Sequence, residues 1–236
     1  MSIPNHSILP STEADVATLA SFVQESKLQL AINRFLIIDW PNEPVQQALY
    51  TSAVESALKD PQVDTMKVVD DRSGDIVASM VLSRRSGDQA KVSTADAEGS
   101  PAVPHGVNPD VFSVVMDSVK EINEGLEGIE HLGMTCNFTR PAASDQGTNQ
   151  RLELTHICVA PSSRRQGIGS QLMRLAVDKA TAARLPLITC SEPPAHEFFL
   201  KQGLIDTKWV DIDLRKWAPD HAGYGVFRIS GMSLPR

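Results

Sequence analysis

The chain has 236 residues, 42% of them hydrophobic and 22% charged, which is globular composition long enough to bury a sizeable core as one domain over 1–236. No stretch approaches the roughly 18 apolar residues of a membrane span, and Met1 to Pro10 has no secretory pattern, so no membrane partner and a cytoplasmic location are expected. A net charge of −7 argues against nucleic acid as the main partner and is compatible with cationic amines. Three cysteines, Cys136, Cys158 and Cys190, match no zinc or disulfide spacing and point to a reducing compartment; Cys158 and Cys190 read as small buried hydrophobes, and no metal is expected.

In chain order, Thr12 and Asp15 form a capping signal ahead of Val16, Leu19, Ala20, Phe22 and Val23, which predicts a helix over about 13–26. Leu36 to Ile38 is an apolar run of undecided type. Val45, Leu49, Ala53 and Ala57 mark a second helix, stopped by Pro61. Strands near 65–70 and 76–83 flank the hairpin turn Asp71-Arg72-Ser73-Gly74. Residues 85–107 lack periodicity and read as a long flexible loop, as do 140–150. Between them, Asn108-Pro109 opens a helix whose inward face is read as Phe112, Val115, Met116, Val119 and Ile122.

The last third predicts a strand at 152–159, a polar turn at 161–166 and a helix at 168–184 with Leu172, Leu175, Ala176, Ala180 and Ala183 inward. A short strand at 187–190, a helix near 194–202 ending at Gly203, and strands at 208–214 and 224–232 complete the chain. The turn Arg164-Arg165-Gln166-Gly167-Ile168-Gly169 lies between strand and helix. A helix start offers unpaired N–H groups and the positive end of the helix dipole, and glycines let a phosphate approach the backbone. The turn lacks the Gly-Lys-Ser/Thr of a P-loop, and Leu172 stands where a dinucleotide fingerprint needs a third glycine.

The run Leu152 to Pro161 followed by Arg164 to Gly169 resembles motif A of the GCN5-related N-acetyltransferases (GNAT). Ala195, Phe198-Phe199, Lys201 and Gly203-Leu204 resemble motif B, and residues 41–81 and 209–232 look like fungal small-molecule members. The resemblance implies an α/β fold: a mixed, mostly antiparallel sheet with a splayed parallel strand pair, flanked by helices. It implies acetyl-CoA as co-substrate, lying between strands 152–159 and 187–190. The amides of Arg165, Gly167, Ile168, Gly169 and Ser170 would hold the pyrophosphate, with charge from Arg164; Val159 would pair with the pantetheine, and the Ile157 N–H would face the thioester carbonyl. Glu153, eleven positions before Arg164, matches the base glutamate of histone-acetylating members.

Simple alternation puts Glu153 on one face with Thr155 and Ile157, and His156 on the other as a structural histidine. His196 lies near motif B and could reach the site. Phe199 replaces the tyrosine that often protonates the leaving thiolate, and is expected under the pantetheine arm. Water, Ser191 or Tyr224 could supply that proton, or the protein could only bind acyl-CoA. The expected activity is transfer of an acetyl group to a primary amine of a small molecule by a monomer or homodimer. Another acyl group or a protein lysine remain open as alternatives.

Overall fold

The computed structural model describes residues 3–85, 103–127 and 150–235. The loops expected at 85–107 and 140–150, and Cys136, fall outside these residues except at the loop ends. Seven strands form one sheet: β1 (His6–Pro10), β2 (Val63–Asp70), β3 (Ile76–Arg85), β4 (Arg151–Val159), β5 (Leu187–Ser191), β6 (Ile205–Asp213) and β7 (Val226–Ser233). The spatial order is β1-β2-β3-β4-β5-β7-β6. Every pairing is antiparallel except β4 with β5.

The helices are α1 (Val16–Leu28), α2 (Asn33–Leu36), α3 (Glu43–Lys59), α4 (Pro109–Glu127), α5 (Ile168–Ala183) and α6 (Pro193–Lys201). The undecided run 36–38 is the end of α2 followed by a bridge between Ile37 and Val107. That bridge, with the Ile38 N–H donating to the Gly106 carbonyl, ties the last residues of the expected 85–107 loop to α2. Arg85, at the other end, belongs to β3.

Two cores sit on the sheet. Ala78, Met80 and Leu82 of β3 and Leu152 and Leu154 of β4 bury against Ile168, Leu172, Met173, Ala176 and Ala180 of α5, with Phe199 of α6 joining them. The opposite face of β5, β7 and β6, through Ile188, Phe227, Ile229 and Ile212, packs on α4. The inward stripe of α4 is Val111, Ser118, Ile122 and Leu126, whereas Met116 is exposed, so the face read from sequence is rotated about the helix axis. Its register is set by a close approach to the sheet. A Cβ on Gly231 of β7 would lie 2.6 Å from Ile122 Cγ2 and 3.2 Å from Leu126 Cδ1. Gly231→Ala is therefore expected to cost about 1–3 kcal/mol of stability by overpacking, read as a lower denaturation midpoint.

The cap expected before α1 is present. The Thr12 N–H and hydroxyl both donate to the Asp15 carboxylate, at 2.7 and 2.9 Å. The Lys67 ammonium donates to the same carboxylate at 2.7 Å, fastening the start of α1 to β2. Burial raises the Asp15 pKa, but the bonds from Lys67 and Thr12 outweigh it and hold the carboxyl below its ordinary 3.8. A depressed folded-state pKa contributes stability above the unfolded value, and that contribution is lost as pH falls through the folded value. Asp15→Asn is thus expected to be less stable than wild type at neutral pH. The gap between their unfolding free energies should close on acidification below pH 3.8.

Candidate active site

The site begins where β4 and β5 part. Their parallel pairing covers Leu152↔Leu187 and Glu153↔Ile188, and the Thr189 hydroxyl then donates to the Leu154 carbonyl at 2.8 Å. Beyond that, β4 runs on to Val159 and β5 to Ser191 with no further pairing between them, while β5 keeps its pairing with β7 on its other edge from Ile188 to Ser191. The cause is in β4. Leu82 pairs with Leu154 and Val81 with His156, so Thr155 is an extra residue in the strand. Such a bulge bends its strand and increases the local twist. Thr155 is held there by its hydroxyl, 3.0 Å from that of Ser83.

The bulge also corrects the reading of the faces. Cross-strand partners share a face. Leu154, Ile157 and Val159 pair with Leu82, Met80 and Ala78, which all belong to the α5 core. Glu153, His156 and Cys158 pair with Ser83, Val81 and Ser79 on the opposite face. Simple alternation therefore fails: His156, not Ile157, shares the face of Glu153. That face is covered by α1, since the Cys158 thiol lies 3.6 Å from the Phe22 carbonyl.

Main-chain direction follows from the same ladder. The Ala160 N–H donates to the Val77 carbonyl, so the alternation of an antiparallel pair turns the Cys158 N–H toward β3 and those of Ile157 and Val159 toward the split. The Val159 carbonyl on that side accepts from Arg164 Nε at 3.0 Å. A ligand amide that pairs with this carbonyl must displace the exposed Arg164 side chain.

The glycine turn stands at the far end of β4. Arg165 and Gly167 have positive φ, 62° and 82°, and Gly167 is the N-cap of α5. No atom lies within 4 Å of where a Gly167 Cβ would be, and the first turn of α5 has no acidic residue. The leading N–H groups of α5, at Ile168, Gly169 and Ser170, have no acceptor within the helix. The Ser170 hydroxyl accepts from Gln202 Nε2 at 3.2 Å, which ties the start of α5 to the end of α6. The turn is open at Gly167, carries Arg164 and Arg165 and exposes main-chain donors, a donor set whose chemistry suits a diphosphate. The neighbouring strip of unpaired β4 backbone fits an extended amide-bearing chain.

The titratable groups sort by position. Glu153 lies at the base of the split, its side chain 17% exposed, and accepts from Arg85 Nε at 3.2 Å. Burial, then the Lys27 charge, pushes the His156 imidazole down to about 4, and its Nε2 is buried without a hydrogen-bond partner. Burial pushes the Cys158 and Cys190 thiols up to about 11 and 12, with Glu153 adding to the second. His196 is held elsewhere, 2.8 Å from Asp206 at the start of β6. Phe199 is 4% exposed within the core, edge-on to Phe198. Phe198 is the ring beside Gly169, 3.5 Å from where a Cβ would sit. Ser191 is buried, and Tyr224 precedes β7 rather than starting it and packs edge-on against Phe35.

Residues 129–204 match the acetyltransferase (GNAT) family. Over nearly the whole chain the structure is similar to solved acetyltransferases. The fold is the GNAT fold. A Corynebacterium glutamicum protein described as histone acetyltransferase HPA2 and related acetyltransferase has a TM-score of 0.55 at 14% identity, covering 98% of this chain and 97% of that one. Arylalkylamine N-acetyltransferase 2 of Aedes aegypti has a TM-score of 0.55 at 11% identity, covering 97% and 98%. The C-terminal condensation domain of Ebony, solved with beta-alanyl-dopamine, has a TM-score of 0.56 at 11% identity, covering 97% and 99%. At such identities the likeness is one of fold. No curated protein matches the chain in sequence. Among the described residues, the seven-stranded sheet, its one parallel pair and the flanking helices are those expected of a GNAT fold. Among the described residues, no helix is long and apolar enough to cross a membrane.

Proposed function

We propose that the 236 residues form one acetyl-CoA-dependent N-acetyltransferase domain of the GNAT family that acts on the primary amine of a small molecule. The observation that carries this reading is the β4–β5 split with a glycine turn at the end of β4. The two together set main-chain donors at the start of α5 beside the strip of β4 backbone that β5 leaves unpaired. Acetyl-CoA, when bound, supplies an activated acetyl group on a thiol leaving group. The amides of Arg165, Gly167, Ile168, Gly169 and Ser170 hold its diphosphate, Arg164 contributes charge, and Val159 aligns its amide-bearing arm. The Ile157 N–H, turned toward the split, stabilises negative charge developing on the carbonyl oxygen. Glu153 accepts the proton that the attacking amine must lose. Phe199 packs beneath the arm from within the core and cannot supply a proton. The likeness of 41–81 and 209–232 to fungal small-molecule members is part of the same reading.

One observation favours a second reading, an acyl-CoA-binding protein without turnover: the Glu153 carboxylate is already engaged by Arg85. Direct transfer is favoured over an acyl-enzyme on Cys158 or Cys190, the cysteines among the described residues, because burial pushes these thiols up to about 11 and 12 and makes them poor nucleophiles at neutral pH. Initial rates measured while both acetyl-CoA and amine are varied should give intersecting reciprocal plots. Parallel plots would show a covalent intermediate and overturn direct transfer.

A further inference from the structure

At the mouth of the split, Lys27 and Glu192 form an ion pair that the proposed chemistry does not use. Glu192 follows the last residue of β5 and caps α6, so it stands on the β5 wall where β4 has already diverged. Lys27 lies in the last turn of α1, the helix that covers the Glu153 face of β4. Its Nζ is 2.5 Å from Glu192 Oε1, and the two side chains are 29% and 33% exposed. Asn33, itself buried, donates to the Lys27 carbonyl at 2.8 Å and fixes the end of the helix. Two buried groups feel this pair. Burial, with the Glu192 charge adding to it, pushes the Tyr50 phenol of α3 up to about 12. The Lys27 charge bears on His156, whose Nε2 has no partner. The β5 side of the split thus carries a carboxylate, and the α1-covered face of β4 a buried imidazole nitrogen with no hydrogen-bond partner among the described residues. The chain's own primary ammonium sits on the carboxylate.

We infer that Glu192 is the seat of the acceptor's ammonium group and that Lys27 occupies it until a cationic primary amine displaces it. The inference rests on the proposed acetyltransferase reading and names the acceptor class within it: amines that arrive as cations, rather than neutral alcohols or anilines. Exchange of one ammonium for another leaves the carboxylate paired throughout, so no buried charge is stranded. An amine leaving the seat inward meets the Glu153 face of β4, where its proton can be taken. Lys27 is then a competitor, and Glu192 a specificity-determining residue.

The two partners make the test, because a plain brace and an exchangeable seat predict different signs. Lys27→Met and Glu192→Gln both abolish the ion pair. If the pair only braces α1 against β5, both variants shift the amine KM the same way. As a seat, Glu192→Gln should raise the KM for butylamine and 2-phenylethylamine by about 10- to 100-fold, the usual worth of a hydrogen bond to a charged group. Lys27→Met should lower it by about 3- to 10-fold by removing the competitor, a smaller effect because a partly exposed pair is weakened by solvent. Calorimetric titration of acetyl-CoA and a thermal melt establish that each variant is folded and loaded. Should Glu192→Gln fail to melt cooperatively, Lys27→Met decides alone: a lower amine KM supports the seat, and an unchanged or higher one overturns it. Shifts of the same sign in both variants, or no shift in either, also overturn it. Titration of butylamine into the CoA-saturated protein separates this inference from the activity. Opposite shifts in amine affinity without CoA release would uphold the seat and refute turnover.

Discussion

Glu153→Gln is expected to lower kcat/KM at neutral pH by about 10²-fold or more, the range of a general-base contribution, while acetyl-CoA affinity stays near wild type. The substitution keeps the size of the side chain and removes its capacity to take a proton. Glu153 is positioned by three features: its pairing with Ser83 and Ile188, the bulge at Thr155 just beyond it, and the Arg85 contact at 3.2 Å. The loss should shrink at high pH, where the amine is already neutral. Arg85→Met separates the base from the ion pair. Removing the guanidinium leaves the carboxylate in place, so a base retains activity within about tenfold, under 1.4 kcal/mol of barrier. Were Glu153 only one half of a structural pair, the two variants would lose activity together. Initial rates with a saturating amine across pH, for wild type and both variants, distinguish these outcomes.

The second large effect is on binding. Gly169→Glu is expected to raise the acetyl-CoA dissociation constant by about 10²-fold or more, equivalent to roughly 2.8 kcal/mol. A Cβ at Gly169 would meet the Phe198 ring at 3.5 Å and Val159 Cγ2 at 3.7 Å, both ordinary contacts, so the fold should accept a side chain there. A glutamate there adds bulk and negative charge to the first turn of α5, where main-chain donors would meet a diphosphate. Gly169→Ala is the control, with little loss of binding. Calorimetric titration together with a melting curve measures both quantities. Undiminished binding by a folded Gly169→Glu protein would place the diphosphate elsewhere.

The features that sequence makes legible are local. The turn from Arg164 to Gly169 announces itself through glycine, charge and its place between an apolar run and an amphipathic helix. The structure puts it between β4 and α5, with Arg165 and Gly167 in the left-handed region. The β2–β3 hairpin is equally local. What escapes is decided by partners distant in sequence. β1 is five residues ending in Pro10 and is an edge strand, recognisable only from its pairing with β2. The buried stripe of α4 turns on the room that Gly231 leaves on β7. The bulge at Thr155 exists only in the register against β3, and it reverses the faces of Ile157 and His156 relative to Glu153. Lys27 and Glu192 are 165 positions apart, and no spacing rule joins them. Sequence therefore points to the cofactor half of the site, whose donors are contiguous backbone, and leaves the acceptor half to the tertiary structure.

The activity proposed for the β4–β5 split is transfer of the acetyl group to an amine. Its most direct measure is release of free CoA from acetyl-CoA, followed by a thiol reagent, in the presence of a panel of primary amines, with mass spectrometry of the products. Amine-dependent CoA release is expected, matched mole for mole by N-acetylated amine and strongly reduced by Gly169→Glu and by Glu153→Gln. Acetyl-CoA bound with no release of CoA by any amine, at any pH at which the protein stays folded, would contradict it.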